Sequence, residues 1–205
     1  MILKTDRIAA LLRDTGAHDP LVITPTPELT ELEECGAGAV DFRLGTWFVT
    51  LKHARMEALR IGRPNSPSSS FRQLTKMQYV PFGTDYVLHP QAFVLGVTLE
   101  WLKVPGNLAA YVTGKSGLGR CGLIIATATG VHPGFRGCLT LELTNVGEIP
   151  ISITPGMTIC QIFFHSVDAV NPTVPGRSKF VGWRRPVLVE LKLDRIASQL
   201  SRPDA

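Results

Sequence analysis

The stretch GKSGLGRCGL at residues 114–123 places a lysine, a serine and an arginine between four glycines. Glycine lets backbone amides approach an anion, and Lys115, Ser116 and Arg120 add charged and hydroxyl donors. These are the donors that a site binding an oligophosphate needs. A P-loop is excluded, because the sequence does not have the order and spacing G-x-x-x-x-G-K-[ST]. Taken alone, the stretch is interpreted more simply as a glycine-rich turn between strands.

A second chemical candidate is Glu142, which lies in the alternating run LTLELT at 139–144. Such alternation is typical of a strand whose leucines face the core, so Glu142 shares the opposite face with Thr140 and Thr144. That face is either solvent or the wall of a site. On the residues alone, a solvated surface glutamate is the better interpretation, because outward-facing charges are ordinary.

The elements that must position these residues are mostly strands. From Asp85 onward, short β-type runs alternate with glycine or proline, and the apolar run 93–102 suits a buried strand. Pro155-Gly156 predicts a tight turn between the runs 151–154 and 159–164. Many short strands at this spacing predict a β-sandwich or barrel.

The N-terminal half contains less regular structure by the same criteria. One short helix is predicted through about Leu12, capped by Thr5 or Asp6, with Ile8, Leu11 and Leu12 on one face. Strands are expected in 39–50. The acidic stretch 24–38 is predicted to be a loop, and the serine- and proline-rich stretch 63–70 an exposed loop.

Composition limits the classes of protein to consider. With 205 residues, 44% hydrophobic and 19% charged, the chain suits one globular domain. It has no secretory signal and no run of about 18 apolar residues, so we expect a soluble, cytoplasmic protein without a membrane partner. The net charge of +4 is too small to predict a nucleic-acid-binding surface. Four scattered cysteines without a C-x-x-C pair favour reduced, buried thiols.

Two longer runs, 87–123 and 130–164, closely resemble the dCTP deaminase branch of the dUTPase-like superfamily. TDRI at 5–8 and AVDFRL at 39–44 resemble it more weakly. The resemblance implies a mainly β, jelly-roll-like β-sandwich over residues 1–186. It does not cover 45–80, where we expect a variable loop at about 52–79, or the last twenty or so residues, so 187–205 is interpreted as a C-terminal extension. It also implies a homotrimer with active sites between subunits. The implied reaction is hydrolytic deamination of dCTP to dUTP and ammonia, with Mg²⁺ bound through the triphosphate.

The resemblance also assigns roles to single residues. The family run G-[RK]-S-S-L-x-R falls on residues 114–120, with Gly117 where a second serine is usual, and the family's catalytic glutamate falls on Glu142. Glu142 would act as general base on the attacking water, and Ser116 and Arg120 would orient that water and stabilise developing charge. The full set of residues implied to bind substrate is Lys115, Ser116, Gly117, Leu118, Gly119, Arg120, His132, Thr140, Leu141, Glu142, Lys179 and Trp183.

This reaction is expected to proceed without zinc. Zinc deaminases use an H-x-E and P-C-x-x-C arrangement, and this chain has neither half. The five histidines are too dispersed to predict a ligand set. Lys115 and Lys179, the latter in the family's phosphate-binding segment, would instead hold the triphosphate.

Three departures from the family pattern leave the substrate open. First, His132 stands where the family has an aspartate that contacts the deoxyribose. Second, Trp183 stands where glutamine is usual, and Phe180 nearby replaces a tyrosine. Third, the stretch 187–200 does not match the family. His132 either keeps a sugar contact or is a plain loop histidine, and Trp183 either stacks on a base or packs the tail. The alternatives to a dCTP deaminase are a dUTP diphosphatase, a bifunctional deaminase-diphosphatase, and a non-catalytic nucleotide-binding regulator.

Overall fold

The computed structural model describes residues 1–52, 71–125, 130–168, 182–186 and 188. Two antiparallel sheets pack against each other in the described chain, with a separate pair of short strands. Its strands are β1 Val22–Thr24, β2 Val40–Arg43, β3 Trp47–Leu51, β4 Thr75–Tyr79, β5 Tyr86–Leu88, β6 Phe93–Lys103, β7 Leu108–Gly114, β8 Leu123–Ile125, β9 Gly130–Val131, β10 Arg136–Asn145, β11 Ile151–Ile153 and β12 Thr158–Ser166. Its helices are α1 Thr5–Arg13, α2 Leu29–Cys35, α3 Phe71–Leu74 and α4 Ser116–Arg120.

The larger sheet has the order β4-β3-β6-β10-β8, and β1 also pairs with β6. The smaller sheet has the order β2-β12-β7-β9, and β5 pairs with β11 apart from both. The chain crosses from the smaller to the larger sheet between β2 and β3, between β7 and β8, and between β9 and β10. The mainly β sandwich predicted from the sequence is confirmed.

The core lies between the two sheets. Along β10, Leu139, Leu141 and Leu143 are buried and alternate with half-buried residues, as predicted. They meet apolar side chains of the smaller sheet, such as Phe42 and Phe164, which are fully buried. Each such side chain contributes about 1.5–3 kcal/mol by leaving water, so this alternation fixes which face of β10 points outward.

The predictions for the N-terminal region are correct in part. Helix α1 is present, but Lys4 is its N-cap residue, and no side chain caps it. Thr5 is fully buried inside the helix, where its hydroxyl donates to the backbone oxygen of Ala37 at 3.2 Å. The cap prediction is therefore wrong, because a tertiary acceptor takes the hydroxyl.

The acidic stretch 24–38 is not a loop throughout, because it contains α2. Leu32 is buried against the core, and Arg13 on α1 forms a salt bridge with Glu33. Gly36, at φ +61°, ends the helix in the left-handed conformation that glycine adopts freely. Packing against α1 thus stabilises a helix too short to persist alone.

The later strand predictions are confirmed. The run 93–102 lies in β6, and 151–164 forms β11 and β12. Between them, the amide of Met157 donates to the oxygen of Thr154 at 3.1 Å, and Gly156 has φ +93°, so Pro155-Gly156 is the centre of the turn. The stretch 63–70 lies outside the described residues. Within the described residues, no helix is long and apolar enough to cross a membrane.

All four cysteines are free thiols, but only some are buried. Cys35 and Cys121 are exposed and Cys138 is half-buried, so the prediction of buried thiols is wrong for these positions. Cys160 is buried, and the loss of water around it raises its pKa to about 12.

Candidate functional site

The glycine-rich stretch forms a short helix, not an open loop. Strand β7 ends at Gly114, Lys115 is the extended N-cap residue, and α4 follows directly. The oxygen of Lys115 accepts the amides of Leu118 and Gly119 at 3.0 and 3.1 Å. Ser116 and Arg120 are exposed on this helix, and Leu118 packs against the core. The helix therefore presents its polar side chains outward from a point anchored by Leu118.

The space beside Gly117 and Gly119 on α4 is open among the described residues. A Cβ added to Gly117 or Gly119 would meet no atom within 4 Å. Neither glycine is therefore required by a neighbour within the described chain. In contrast, Gly122 has φ +90°, and a Cβ there would lie 3.0 Å from the nitrogen of Gly147. Only Gly122 is explained by the fold of one chain, and the other two border space that a ligand or a second chain can fill.

Lys115 has an acidic partner that the sequence interpretation missed. Its ammonium donates to both carboxylate oxygens of Asp41, at 2.7 Å each. Asp41 lies on β2, exposed between the buried residues Val40 and Phe42. Its position in AVDFRL is the only sequence signal, because 74 residues separate the two partners. A phosphate that binds Lys115 must compete with Asp41.

Glu142 lies on the outer face of the larger sheet, opposite Leu95 of β6. It is half-buried, so it is neither a fully solvated surface residue nor a core residue. Within the described chain it makes no hydrogen bond or ion pair. Its neighbour Thr144 on the same face does find a partner, since its hydroxyl donates to the oxygen of Ala92 at 3.1 Å. A half-buried carboxylate without a partner is available to a ligand.

Among the described residues, the side chains of the predicted site residues form no hydrogen bond or ion pair with one another. Lys115 reaches Asp41 on the outer face of the smaller sheet, whereas Glu142 points out of the larger sheet. In a sandwich these two faces point in opposite directions. Across the described residues, no hydrogen bond or ion pair joins Glu142 to Ser116 or Arg120. The Lys115 and Glu142 side chains thus lie on opposite outer faces of the sandwich.

The position of α4 relative to β10 is set by Asn145, a residue that sequence analysis did not select. Asn145 is fully buried, and its amide nitrogen donates to the oxygens of Leu88 and Ile149 at 3.0 and 2.8 Å. Its side-chain oxygen accepts the amide of Gly147 at 2.9 Å. It pairs with Leu123 of β8, which follows α4 directly. Asn145 therefore shapes the turn against which α4 ends.

A cavity of about 430 Å³ opens on the same face of the larger sheet as Glu142. Cys138 lines it, and Cys138, Thr140 and Glu142 alternate with buried leucines along β10. The cavity is lined by Thr24, Gly45, Thr46, Trp47, Val97, Thr98, Leu99, Trp101, Cys138 and Arg184. Its aromatic walls and hydroxyl groups suit a flat, polar ring.

Trp183 lies beside the start of β10. Its backbone oxygen accepts the amide of Cys138 at 2.8 Å, and the amide of Gly182 donates to the oxygen of Arg136 at 2.6 Å. The Arg185 guanidinium stacks on the Trp47 ring at 4.2 Å. Residues 182–185 thus attach to the larger sheet near the cavity, while about half of Trp183 remains exposed.

The remaining predicted residues occupy varied places. His132 is exposed at the first position of a turn, in which the amide of Phe135 donates to the His132 oxygen at 3.2 Å and Gly134 has φ +77°. Thr140 is half-buried beside Glu142, whereas Leu141 is fully buried, so the described chain does not expose Leu141 to a ligand. Lys179 and Phe180 lie outside the described residues.

Comparisons with known proteins agree with this architecture. Residues 2–167 match the family model described as dCTP deaminase-like. The chain is 38% identical over 160 residues to "dCTP deaminase, dUMP-forming" of Dictyoglomus thermophilum, covering 76% of this chain and 80% of that protein. It is 36% identical over 152 residues to the dCTP deaminase of Halorubrum lacusprofundi, covering 74% and 72%. The fold resembles a 2'-deoxycytidine 5'-triphosphate deaminase from Agrobacterium tumefaciens, with a TM-score of 0.57 and 21% identity; the match covers 81% of this chain and 48% of that one.

Proposed function

Because the chain belongs to the dCTP deaminase-like family, we propose that it hydrolyses the 4-amino group of dCTP and releases ammonia. Relatives at 36–38% identity carry the name dCTP deaminase, which supports an enzyme acting on this nucleotide. The observation that carries the proposal is Glu142, a half-buried carboxylate without a partner in the described chain, on the same face of β10 as Cys138, which lines the cavity.

In the proposed reaction, Glu142 takes a proton from the attacking water as its oxygen bonds to C4 of cytosine. The carboxyl group gives this proton to ring nitrogen N3, which leaves a hydroxyl and an amine on the tetrahedral C4. The carboxylate then moves the hydroxyl proton to the amine, the C4–N bond breaks, ammonia leaves, and C4 becomes a carbonyl carbon. A carboxylate not engaged by another side chain is free to accept that proton. Water is the only co-reactant that the balance requires.

Ser116 and Arg120 act on this water from a second chain. The Arg120 guanidinium and the Ser116 hydroxyl are exposed on α4, beside the open space at Gly117 and Gly119. Such donors stabilise charge that develops on the ring during attack. Lys115, and Lys179 outside the described residues, bind the triphosphate, which enters as its Mg²⁺ complex. The arrangement requires an oligomer, and a homotrimer is the form implied by the family.

The direct test is ammonia release from dCTP with Mg²⁺ by the purified protein. Glu142→Gln keeps the shape of the side chain and removes the base, so we expect turnover to fall by about 10²–10⁴-fold while dCTP binding persists. Glu148→Gln is the matched control, because Glu148 is exposed in the turn after the same strand. Full activity of Glu142→Gln would show that another group accepts the proton. Tight binding without product by the wild type would favour the non-catalytic regulator.

A second candidate function is deamination followed by cleavage of the triphosphate to dUMP and diphosphate. The name "dCTP deaminase, dUMP-forming" of a 38%-identical relative favours it. His132, where the related diphosphatases have an aspartate, favours deamination alone. Measuring ammonia and diphosphate separately, with dCTP and with dUTP as substrates, distinguishes them. Equal amounts of both products from dCTP would establish the dUMP-forming reaction, and ammonia alone would exclude it.

A further inference from the structure

The pairing between β6 and β10 changes register once, beside Glu142. On one side of the change Cys138 pairs with Trp101, and on the other Thr140 pairs with Val97. Between these pairs, β10 has Leu139 alone, whereas β6 has residues 98–100. Backbone groups at such an irregularity lose their regular hydrogen-bond partners in the neighbouring strand, and the strand bends locally.

The hydroxyl of Thr98 fills the gap in the ladder. It accepts the amide of Leu139 at 2.9 Å and donates to the oxygen of Glu100 at 2.9 Å. Thr98 is only 1% exposed, and both hydrogen bonds are buried. A hydroxyl can accept and donate at once, whereas a valine of the same shape can do neither. The buried Leu139 amide therefore depends on this one side chain.

The rest of the irregularity is held from the smaller sheet. The buried Glu100 carboxylate accepts the backbone amide of Arg43 at 2.7 Å and its Nε at 2.6 Å. The amide of Gly45 donates to the oxygen of Val97 at 2.7 Å, and a Cβ on Gly45 would lie 2.9 Å from the Val97 side chain. These contacts hold this part of β6 in place, and the hydrogen bond from the Leu139 amide to the Thr98 hydroxyl aligns β10 with it.

The irregularity decides which residue of β6 lies opposite Glu142. In the observed register, Glu142 faces Leu95. If the register of the Cys138–Trp101 pair continued along β10, Glu142 would face Val97. A slip of two residues keeps the carboxylate on the same face but moves it about 6–7 Å along β6. Misplacement by about 1 Å is enough to slow a positioned reaction about 100-fold.

We propose that Thr98 is a positioning residue for Glu142: its hydroxyl holds β10 in the register that places this carboxylate on the site face. The inference rests on the proposed function for its kinetic consequence. The structural part of the proposal does not depend on any activity: the Thr98 hydroxyl bonds to the Leu139 amide and fixes the register of β10.

Three variants test the kinetic consequence by ammonia release from dCTP. Thr98→Val should lower kcat by about 10–100-fold and change KM by less than about threefold, because phosphate contacts at Lys115 lie on the other sheet. Thr98→Ser keeps the hydroxyl and should stay within about threefold of wild type. Thr5→Val is the matched control, since it removes another fully buried hydroxyl, bonded to Ala37 and remote from β10. It should lower stability and leave kcat unchanged.

Wild-type kcat in Thr98→Val, or equal losses in Thr98→Val and Thr98→Ser, would overturn the proposal. Residue-resolved hydrogen exchange on the wild-type protein adds a test that needs no variant to fold. The Leu139 amide should exchange as slowly as its β10 neighbours, and fast exchange there would also overturn it. If the wild type releases no ammonia, the proposed function fails, and the exchange measurement still decides whether Thr98 holds the strand.

Discussion

Mixing two inactive variants should restore activity if each site is built from two chains. Glu142 and Lys115 lie on opposite outer faces of the sandwich, and no hydrogen bond or ion pair joins Ser116 or Arg120 on α4 to Glu142 in the described chain. A chain with Glu142→Gln still has an intact α4, and a chain with Arg120→Ala still has an intact Glu142. An oligomer that contains both can therefore assemble a complete site at the boundary between them.

The expected recovery follows from counting. In a one-to-one mixture, half of all sites take Glu142 from the Arg120→Ala chain, and half of those take Arg120 from the other variant. About one quarter of sites are therefore complete, whatever the number of chains in the ring, so ammonia release should reach about 25% of wild type. If one chain supplied both residues, every site would contain a defect.

The assay uses co-expressed variants, with the chain ratio checked by mass spectrometry and each variant alone as a control. Activity no greater than the average of the two single variants would refute the two-chain site. A mixture of Glu142→Gln with Glu148→Gln controls for assembly. It should give about half of wild-type activity, because half of all sites then retain Glu142.

Three further predictions concern the fold and the phosphate end of the site. Leu141→Ala should destabilise the protein by about 2–5 kcal/mol in urea unfolding because its side chain is fully buried, whereas Ile149→Ala, 77% exposed, should change stability by less than about 1 kcal/mol. Although burial acts to raise the pKa of Asp19, hydrogen bonds from Lys103 and the Gly106 amide lower it below its ordinary value. The stability that Asp19 contributes is therefore present above its unfolded-state pKa and is lost as pH falls through the lower folded-state pKa. The difference in melting temperature between wild type and Asp19→Asn should therefore shrink below about pH 4. A difference that stays constant with pH would contradict this. Lys115→Gln should raise KM for dCTP with kcat nearly unchanged, because phosphate contacts persist through the reaction, and Lys76→Gln, on exposed β4, should alter neither.

The sequence predicted best what depends on neighbouring residues. The alternation along 139–144 placed three leucines in the core and Glu142 on the outer face, because the side-chain period of a strand is local. The turn at Pro155-Gly156 is equally local, since a positive φ at one glycine defines it. The glycine-rich stretch, in contrast, became a short helix in which the amides of Leu118 and Gly119 bond to the oxygen of Lys115 and Leu118 packs against the core.

Contacts between distant residues could not be predicted in this way. Helix α2 was missed because α1 supplies its packing surface, and nothing in an acidic stretch indicates that surface. The Lys115–Asp41 pair joins residues 74 apart, and the Thr98–Leu139 bond joins residues 41 apart. Local patterns also do not show that Lys115 and Glu142 lie on opposite outer faces of the sandwich. Those faces depend on which sheet each strand joins.

The buried polar residues of the described chain separate structural from functional roles. Thr5, Thr98, Glu100 and Asn145 are each buried, and each has its polar atoms bonded within the chain. Burial without a partner costs about 1–3 kcal/mol for such groups, so these contacts are needed for folding. Glu142 differs because it is half-buried, charged and without a partner in the same described residues. No described contact gives the fold a use for this carboxylate, which supports the proposed role of Glu142 as the general base.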